Sequence, residues 1–317
     1  MAEHIPEDMM VKILQRLPIK SLIRFTCVSK RWRFIILSDH QFAKSQFQIT
    51  SEQTRTRLLL STASQSEYES LDMESFSVTK LTCPFKQPDD VVRILSSCNG
   101  LRLRYFGFGH LSATDDYKVI AKIEKKQQAE IFSSRANTWK TIQVPSDVEP
   151  FSEGFLFNEA LHWISIKNFP NYSIDVVAFD LAKEEFRKIP LPTTLKNAAA
   201  LSSFRGCLCV FDYAYNTAGS IYLWVMREYN MADAWTKLFN IKIPIPPENA
   251  VHILRPILVT ETSTFLRLDM MINAAIESKL VRSVHHQEEK LETYMVSSGG
   301  LRIRDMIIFK ESLLWLY

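Results

Sequence analysis

The sequence lacks the features that would place it in a membrane or in an oxidising compartment. Its five cysteines are odd in number, scattered and free of C-x-x-C spacing, so they indicate neither a disulfide framework nor a zinc site. No apolar run approaches the roughly 20 residues that a membrane-spanning helix needs, and the N-terminus lacks the basic and apolar regions of a signal peptide. We therefore expect a protein of the cytoplasm, the nucleus or both, with no membrane partner.

The sequence also lacks a strong excess of charge. Its formal net charge is +3, which is too small to indicate a nucleic-acid partner. Basic residues are nevertheless concentrated in the first 50 positions, where eight of them stand against four acidic residues: Lys12, Arg16, Lys20, Arg24, Lys30, Arg31, Arg33 and Lys44. This bias fits an acidic partner surface, although a solvated basic face is the simpler explanation.

No set of residues predicts a catalytic site. The segment Gly107-Phe108-Gly109 lacks the third glycine and the following helix of a dinucleotide fingerprint, and neither a G-x-S-x-G elbow nor a phosphate loop occurs. His285-His286 with Glu288-Glu289 could be drawn as metal ligands, but adjacent strand residues point to opposite faces, so a solvated turn is the better interpretation. We expect no catalytic residues, no metal and no cofactor.

What the sequence does have is a compact helical segment at residues 5–37. Pro6 suits the start of a helix, because its φ is fixed and its missing N–H costs nothing there, and Pro18 ends that helix. Apolar residues at helical spacing lie between them and in two further short helices, the last of which follows Ser29 as its cap. Three helices within roughly 45 residues are near the lower size limit for independent folding. Their apolar surface therefore needs a cover, either a partner chain or the rest of this chain.

The order of residues in this segment resembles the F-box motif. The resemblance rests on Ile5-Pro6, Ile13-Leu14, Leu17-Pro18, Leu22, the run Cys27 to Trp32, and Phe42. It implies a three-helix module that docks on a Skp-type adaptor, which links the module to a cullin-based ubiquitin ligase. At nine matching positions the family contacts the adaptor or builds the core of the module: Pro6, Met10, Ile13, Leu14, Leu17, Pro18, Leu22, Val28 and Trp32. The sequence does not separate these two roles residue by residue.

Beyond about residue 95 the pattern changes to short alternating strands that recur along the chain. The aromatic anchors Trp139, Phe186 and Trp235 are 47 and 49 residues apart, close to the roughly 50-residue period of kelch-type propeller blades. Each repeat contains about four predicted strands. Because stacking such sheets supplies the core that one sheet lacks, the repeat predicts a propeller-like domain. The tryptophans Trp139, Trp163, Trp224 and Trp235 are expected in the blade core. An evenly spaced β-sandwich is the alternative.

This repeating region resembles the plant F-box-associated interaction domain, found in S-locus F-box proteins and in defence-regulating F-box/kelch proteins. The matching elements are Ser97 to Leu101, Phe106 to Gly109 with Asp115 to Ile120, Leu161 to Trp163, Phe179 to Leu181, and Leu223 to Met226. One departure matters: the chain runs from Leu101 almost directly into Phe106, where the family has a further turn and strand. Part of one blade could therefore be absent.

These observations predict a multidomain α+β protein with an F-box at residues 1–45, a connector and first β-hairpin at 46–95, and an all-β propeller-like (kelch-type) interaction domain at 96–317. The resemblance implies a non-catalytic substrate-recognition subunit of a Skp–cullin–F-box ubiquitin ligase, which tethers an unknown target protein for degradation. Loops at 169–173, 213–219 and 284–290 are the expected target contacts, since loops are the exposed parts of a rigid scaffold. A non-degradative adaptor-binding protein or an inactive truncated paralogue is the alternative.

Overall fold

The chain folds into two compact units, as a computed structural model shows. One unit comprises Met1–Ile94 with Ile303–Tyr317, and the other comprises Leu95–Arg302. The C-terminal residues thus group with the N-terminal unit and not with the domain predicted at 96–317. The structure describes residues 6–50, 57–61, 68–73, 75, 77–81, 103–123, 128–148, 150, 152–167, 173–195, 197–214, 220–242, 251–272, 275–286, 291–295 and 305–309.

Four helices open the described chain: α1 Glu7–Leu14, α2 Ile19–Phe25, α3 Lys30–Ser38 and α4 His40–Thr50. Pro6 and Pro18 precede α1 and α2 without a side-chain cap. Helix α3 is capped by Ser29, whose Oγ accepts a hydrogen bond from the Trp32 N–H at 3.1 Å, as the sequence predicted. Apolar side chains from all four helices form one small core: Leu14, Leu22, Ile35, Ile36, Phe42 and Ala43.

The remaining elements are strands. Apart from a 3₁₀ turn at Ala232–Ala234, they are β1 Arg57–Ser61, β2 Tyr68–Asp72, β3 Val78–Leu81, β4 Leu103–Leu111, β5 Asp116–Ile123, β6 Gln128–Ser133, β7 Thr138–Gln143, β8 Ser152–Glu153, β9 Phe155–Phe157, β10 Ala160–Lys167, β11 Ser173–Asp180, β12 Glu185–Ile189, β13 Ala198–Phe204, β14 Cys207–Ala214, β15 Ser220–Met226, β16 Trp235–Lys242, β17 Val251–Val259, β18 Ser263–Ile272, β19 Ala275–Val284, β20 Leu291–Met295 and β21 Asp305–Phe309.

These strands form five sheets. In the first unit the order is β21-β1-β2-β3, so a C-terminal strand pairs with β1, with Arg57 opposite Phe309. In the second unit the orders are β7-β6-β5-β4-β8, β12-β11-β10-β9, β13-β14-β15-β16 and β17-β18-β19-β20. Neighbouring strands are antiparallel except β4 and β8. The prediction of a helical module followed by propeller-type sheets is confirmed.

Successive sheets of the second unit bury apolar side chains against one another. Tyr105 and Ile120 of one sheet share a core with Trp163 and Phe179 of the next, and two similar clusters join the later sheets. Gly107 allows this close approach, because a Cβ built there would lie 2.8 Å from Leu161 Cδ1. Stacking thus supplies the core that a single sheet lacks.

The predicted repeat is confirmed, but the burial of one anchor is not. Trp139, Phe186 and Trp235 lie on β7, β12 and β16, the outermost strands of three successive sheets. Trp163 and Trp235 are buried, whereas Trp139 is 58% exposed, so its placement in the core was wrong. It lies opposite Phe132 in the β6–β7 register, on the face away from the buried Ile131.

Some predicted elements lie outside the described residues: Ile5, residues 97–101, and the greater part of the three predicted loops, namely 169–172 of 169–173, 215–219 of 213–219 and 287–290 of 284–290. Within the part of the chain that the structure describes, no sheet has fewer than four strands. Strand β4 begins at Leu103, directly after the position where the sequence departs from the family pattern. Each described sheet thus has at least four strands, and the loss of part of a blade stays a prediction.

Candidate partner-binding surface

The nine predicted adaptor-binding residues lie at different depths in the helical module. Core positions cannot contact a partner, whereas exposed positions can, so burial separates the two roles that the sequence left joined. Leu14 and Leu22 are buried, Met10, Leu17 and Trp32 are partly buried, and Pro6, Ile13, Pro18 and Val28 are exposed.

The two faces of α1 explain this division. An α-helix turns about 100° per residue, so Leu14 shares a face with Met10, four residues earlier, and this face packs on the core. Ile13 shares the neighbouring face with Met9, and both side chains are 50% exposed. Helix α1 therefore carries more apolar surface than the small core can cover.

Five large apolar side chains of α1–α3 and their connecting turns are exposed, and we call them the apolar surface of the module. They are Met9, Ile13, Ile23, Val28 and Phe34. The nine predicted residues include Ile13 and Val28 but omit the other three. Helical spacing could have found them, since Ile23 and Phe34 each follow or precede a buried residue of their own helix and Met9 lies four residues before the exposed Ile13.

Contacts between the helices hold this surface in place. The guanidinium of Arg31 on α3 donates to the Glu7 carboxylate on α1, with Nε 2.9 Å from Oε1. The Trp32 ring packs edge-on against Phe25 of α2, with centroids 5.6 Å apart. A surface formed before binding loses less conformational entropy on association.

The loops predicted to hold a target can be followed only in part. His285 and His286 follow β19, and both have positive φ values of 55° and 57°. The His286 ring stacks on Phe239 with centroids 4.3 Å apart and hydrogen-bonds the Thr264 hydroxyl at 2.9 Å. Burial lowers the pKa of His286. This histidine therefore joins two adjacent sheets, and the interpretation as a solvated turn was incomplete.

A buried polar cluster lies between two other sheets of the second unit. The Tyr229 hydroxyl accepts a hydrogen bond from Arg187 at 2.9 Å and lies 2.7 Å from His162 Nε2, the ring nitrogen left to accept because Nδ1 lies 3.3 Å from the Phe155 carbonyl oxygen. Burial lowers the pKa of His162 to about 4, and the positive charge of Arg187 acts in the same direction. His162 is therefore neutral at physiological pH and serves as an uncharged hydrogen-bonding residue of the core.

The described ranges contain neither a candidate metal site nor a candidate membrane-spanning helix. No group of three or more His, Cys, Asp or Glu residues in those ranges could hold a metal ion. None of the helices in those ranges is long and apolar enough to cross a membrane.

Two protein families match the chain. The F-box domain matches residues 3–44, which include α1 to α3, and the F-box associated beta propeller domain matches residues 92–308. The chain is an F-box protein of the F-box-associated propeller family. The exposed apolar surface thus lies in the F-box, and the stacked sheets of the second unit lie in the propeller domain.

Curated relatives of this F-box protein come from Arabidopsis thaliana. An F-box/kelch-repeat protein is 26% identical over 75% of this chain and 79% of its own length. The F-box protein CPR1 is 25% identical over 84% of this chain and 79% of its own length. These matches agree with the resemblance to plant F-box proteins seen in the sequence.

Solved structures resemble this F-box protein only loosely. A chain of a nidogen/laminin complex covers 80% of this chain and 98% of its own at 13% identity and a TM-score of 0.36. Virginiamycin B lyase from Staphylococcus aureus covers 79% of this chain and 87% of its own at 10% identity and a TM-score of 0.33. Neither likeness carries an argument about function.

Proposed function

We propose that this F-box protein is the substrate-recognition subunit of a Skp–cullin–F-box ubiquitin ligase, in the cytoplasm, the nucleus or both. The observation that carries the proposal is the apolar surface of the module, Met9, Ile13, Ile23, Val28 and Phe34. Exposed large apolar side chains are costly to leave in water, so a partner chain that covers them is favoured. In this proposal the partner is a Skp-type adaptor, which joins the chain to a cullin.

The propeller domain has the second role in this proposal, which is to hold a target protein. Its sheets share buried cores, so its turns are presented from a rigid scaffold. The chain itself would carry out no chemistry. It would keep the target close to a ubiquitin-charged enzyme, and proximity would supply the rate advantage.

The first test removes apolar surface without touching the core. In the double variant Ile13→Ala/Val28→Ala both side chains are exposed, so the variant should remain folded. Because central apolar side chains dominate binding energy, we expect capture of a purified Skp-type adaptor to weaken by about 10-fold or more. Capture is measured with the full chain by surface plasmon resonance.

A matched control makes this test specific. Met231 and Leu238 are also exposed but lie in the second unit, so Met231→Ala/Leu238→Ala should capture the adaptor like the wild type. Circular dichroism shows whether each variant is folded. Unchanged capture by a folded Ile13→Ala/Val28→Ala variant would contradict the proposed adaptor contact.

A second test separates the receptor from its non-degradative alternative. Proteins retained by the wild type and by Ile13→Ala/Val28→Ala are compared in cells with the proteasome active and blocked. For a degradative receptor, a target accumulates with the variant and is depleted with the wild type only while the proteasome is active. A retained target whose level never changes supports the non-degradative alternative, and the absence of any retained target supports an inactive paralogue.

A further inference from the structure

The charge around the apolar surface carries information about the partner. From Met9 to Ser38 the sequence contains no Asp or Glu but seven basic residues, while the whole chain carries only +3. All seven basic side chains are exposed, and we call them the cationic collar: Lys12, Arg16, Lys20, Arg24, Lys30, Arg31 and Arg33. Positive charge is thus concentrated on the helical module that carries the apolar surface.

Helical spacing places collar residues next to the apolar surface. On α1, Lys12 follows Met9 by three residues, and such pairs are neighbours on a helix face. On α2, Lys20 precedes Ile23 by three residues and therefore lies on the same face. The collar and the apolar surface are interleaved and do not occupy opposite sides of each helix.

Helix α3 shows this contact directly. Arg31 precedes Phe34 by three residues, and its guanidinium carbon lies 5.8 Å from the centroid of the exposed Phe34 ring. Arg31 also pairs with Glu7, one of two acidic residues in the first turn of α1. A partner that covers Phe34 therefore also contacts the Arg31 guanidinium, whose charge Glu7 partly offsets.

We propose that the Skp-type adaptor bound here flanks its apolar contact area with acidic side chains, and that the cationic collar steers association with it. This inference rests on the proposed function and adds the chemistry of the partner surface. Exposed ion pairs contribute little to affinity, whereas complementary charge raises the association rate strongly. The expected signature is therefore kinetic: a fast, salt-dependent association step.

Two other classes of partner fit the observations less well. A helix that lies on an anionic membrane segregates a continuous apolar face from its basic face, whereas here the longest of α1–α3 has nine residues and both kinds of side chain share faces. A nucleic-acid backbone would neutralise the collar but would leave the five apolar side chains uncovered. A protein surface with an apolar centre and an acidic rim would cover the apolar side chains and also neutralise the collar.

The experiment measures association rates of the full chain with a purified plant Skp-type adaptor. The collar variant is Lys20→Glu/Arg24→Glu, which replaces two positive charges one turn apart on α2 by two negative charges. The spacing of like charges stays the same, so the local electrostatic potential changes sign with little change in helix geometry. We expect its association rate constant to fall about 10-fold at about 50 mM NaCl and less than about 2-fold at about 500 mM. The dissociation rate should change less than about 2-fold.

The control variant Lys183→Glu/Arg227→Glu makes the same change of charge at exposed positions of the second unit. Its association rate should stay within about 2-fold of the wild type, since its charges lie outside the collar. A salt-independent wild-type rate, or equal rates for the two variants, would overturn the inference but leave adaptor binding intact. Failure of the wild type to bind the adaptor at all would overturn the proposed function itself.

Anionic vesicles and duplex DNA provide the last comparison. We expect weak binding of the full chain to phosphatidylserine vesicles and to DNA, with no selective loss of binding in the collar variant. Tight binding that Lys20→Glu/Arg24→Glu abolishes, together with an unchanged adaptor association rate, would assign the collar to one of those surfaces and overturn the inference.

Discussion

The F-box helices and the propeller sheets differ in how completely they bury their large apolar side chains. The helices bury six residues in one small core and expose five large apolar side chains on α1–α3 and their turns. In the second unit each successive sheet covers the face of the sheet before it, and buried apolar residues far outnumber the exposed ones. In the second unit the next sheet of the repeat covers the apolar face of each sheet, whereas no repeated layer covers the second apolar face of the helices.

This difference follows from how much surface each architecture can hide. A short helix packed against two others buries one stripe, so a second apolar stripe such as Met9 with Ile13 stays in water. A sheet has two faces, and the adjacent sheets in a repeat can cover both. The F-box therefore leaves part of its apolar surface uncovered, whereas the propeller sheets cover one another.

The largest effect should come from an inter-sheet core residue. Trp163 is fully buried, contacts Tyr105 edge-on at 5.4 Å and donates from Nε1 to the Phe106 carbonyl at 3.1 Å. Trp163→Ala should lower the free energy of unfolding of the second unit by about 3 to 5 kcal/mol through lost burial and a cavity. Urea unfolding followed by far-ultraviolet circular dichroism measures the change.

The control for this substitution is Trp139→Ala, which removes the same side chain from an exposed position. This substitution should lower the free energy of unfolding of the second unit by less than about 1 kcal/mol, because the Trp139 side chain buries little surface. Equal costs for the two variants would mean that the sheets do not share the Trp163 core, and the contrast with the F-box would fail.

Neighbouring residues on α1 provide the next comparison. Leu14 is 2% exposed and Ile13 is 50% exposed. Leu14→Ala should destabilise the F-box by about 2 to 4 kcal/mol, whereas Ile13→Ala should leave its stability nearly unchanged and weaken adaptor capture. Hydrogen exchange of peptides from α1–α4 reports the first effect, and surface plasmon resonance reports the second.

The reverse result would contradict the division between core and surface in the F-box. If Ile13→Ala accelerated exchange throughout α1–α4 while Leu14→Ala did not, the two faces of α1 would have been assigned the wrong way round. Leu14 is also a poor choice for testing adaptor contact, because loss of capture would then reflect loss of folding.

The sequence predicted the parts of the fold that depend on local or repeated patterns. The Ser29 cap, the break at Pro18 and the aromatic period all follow from short-range geometry, and the structure confirms them. The pairing of β1 with β21 was not predictable, because no local signal links Arg57 to Phe309. The period located Trp139 on a strand but could not show which face of that strand is covered.

Prediction of the candidate site from the sequence is limited in the same way, because burial depends on the packing of the helices. Family resemblance supplied nine positions but could not separate Leu14 from Ile13, since both are large, apolar and adjacent. That separation needs the packing of α1 on the other helices. Met9 and Phe34 were missed because the resemblance names the positions of the motif, whereas the exposed surface is a property of the folded helices.

A pH dependence should distinguish the second unit from the F-box. The folded-state pKa of His162 is about 4, below the ordinary value of 6.5, so the folded protein binds fewer protons than the unfolded chain between these values. The contribution of His162 to stability is present above pH 6.5 and is lost as the pH falls toward 4. Lowering the pH from 7 to 5 should cost the second unit roughly 2 kcal/mol through this residue.

The variant His162→Gln isolates this effect, because the Gln amide can still form a hydrogen bond with the Tyr229 hydroxyl but cannot be protonated. Urea unfolding of wild type and variant at the two pH values gives the difference. The variant should lose less stability than the wild type on acidification, and hydrogen exchange of α1–α4 should not distinguish them. An identical pH dependence would mean that His162 is not held neutral between the sheets.

The smallest expected effect concerns the end of a helix in the F-box. Ser29→Ala removes the hydroxyl that accepts the Trp32 N–H, which should cost about 1 kcal/mol. Ser29→Asp restores an acceptor at the same position and adds a favourable charge at the helix N-terminus, so it should recover most of that stability. Hydrogen exchange of peptides spanning α3 measures both changes. Because the F-box has only a small core, one cap contributes a larger fraction of its stability than a cap would contribute in the stacked sheets. If Ser29→Ala lowers the stability and Ser29→Asp does not restore it, the effect arises from something other than the cap.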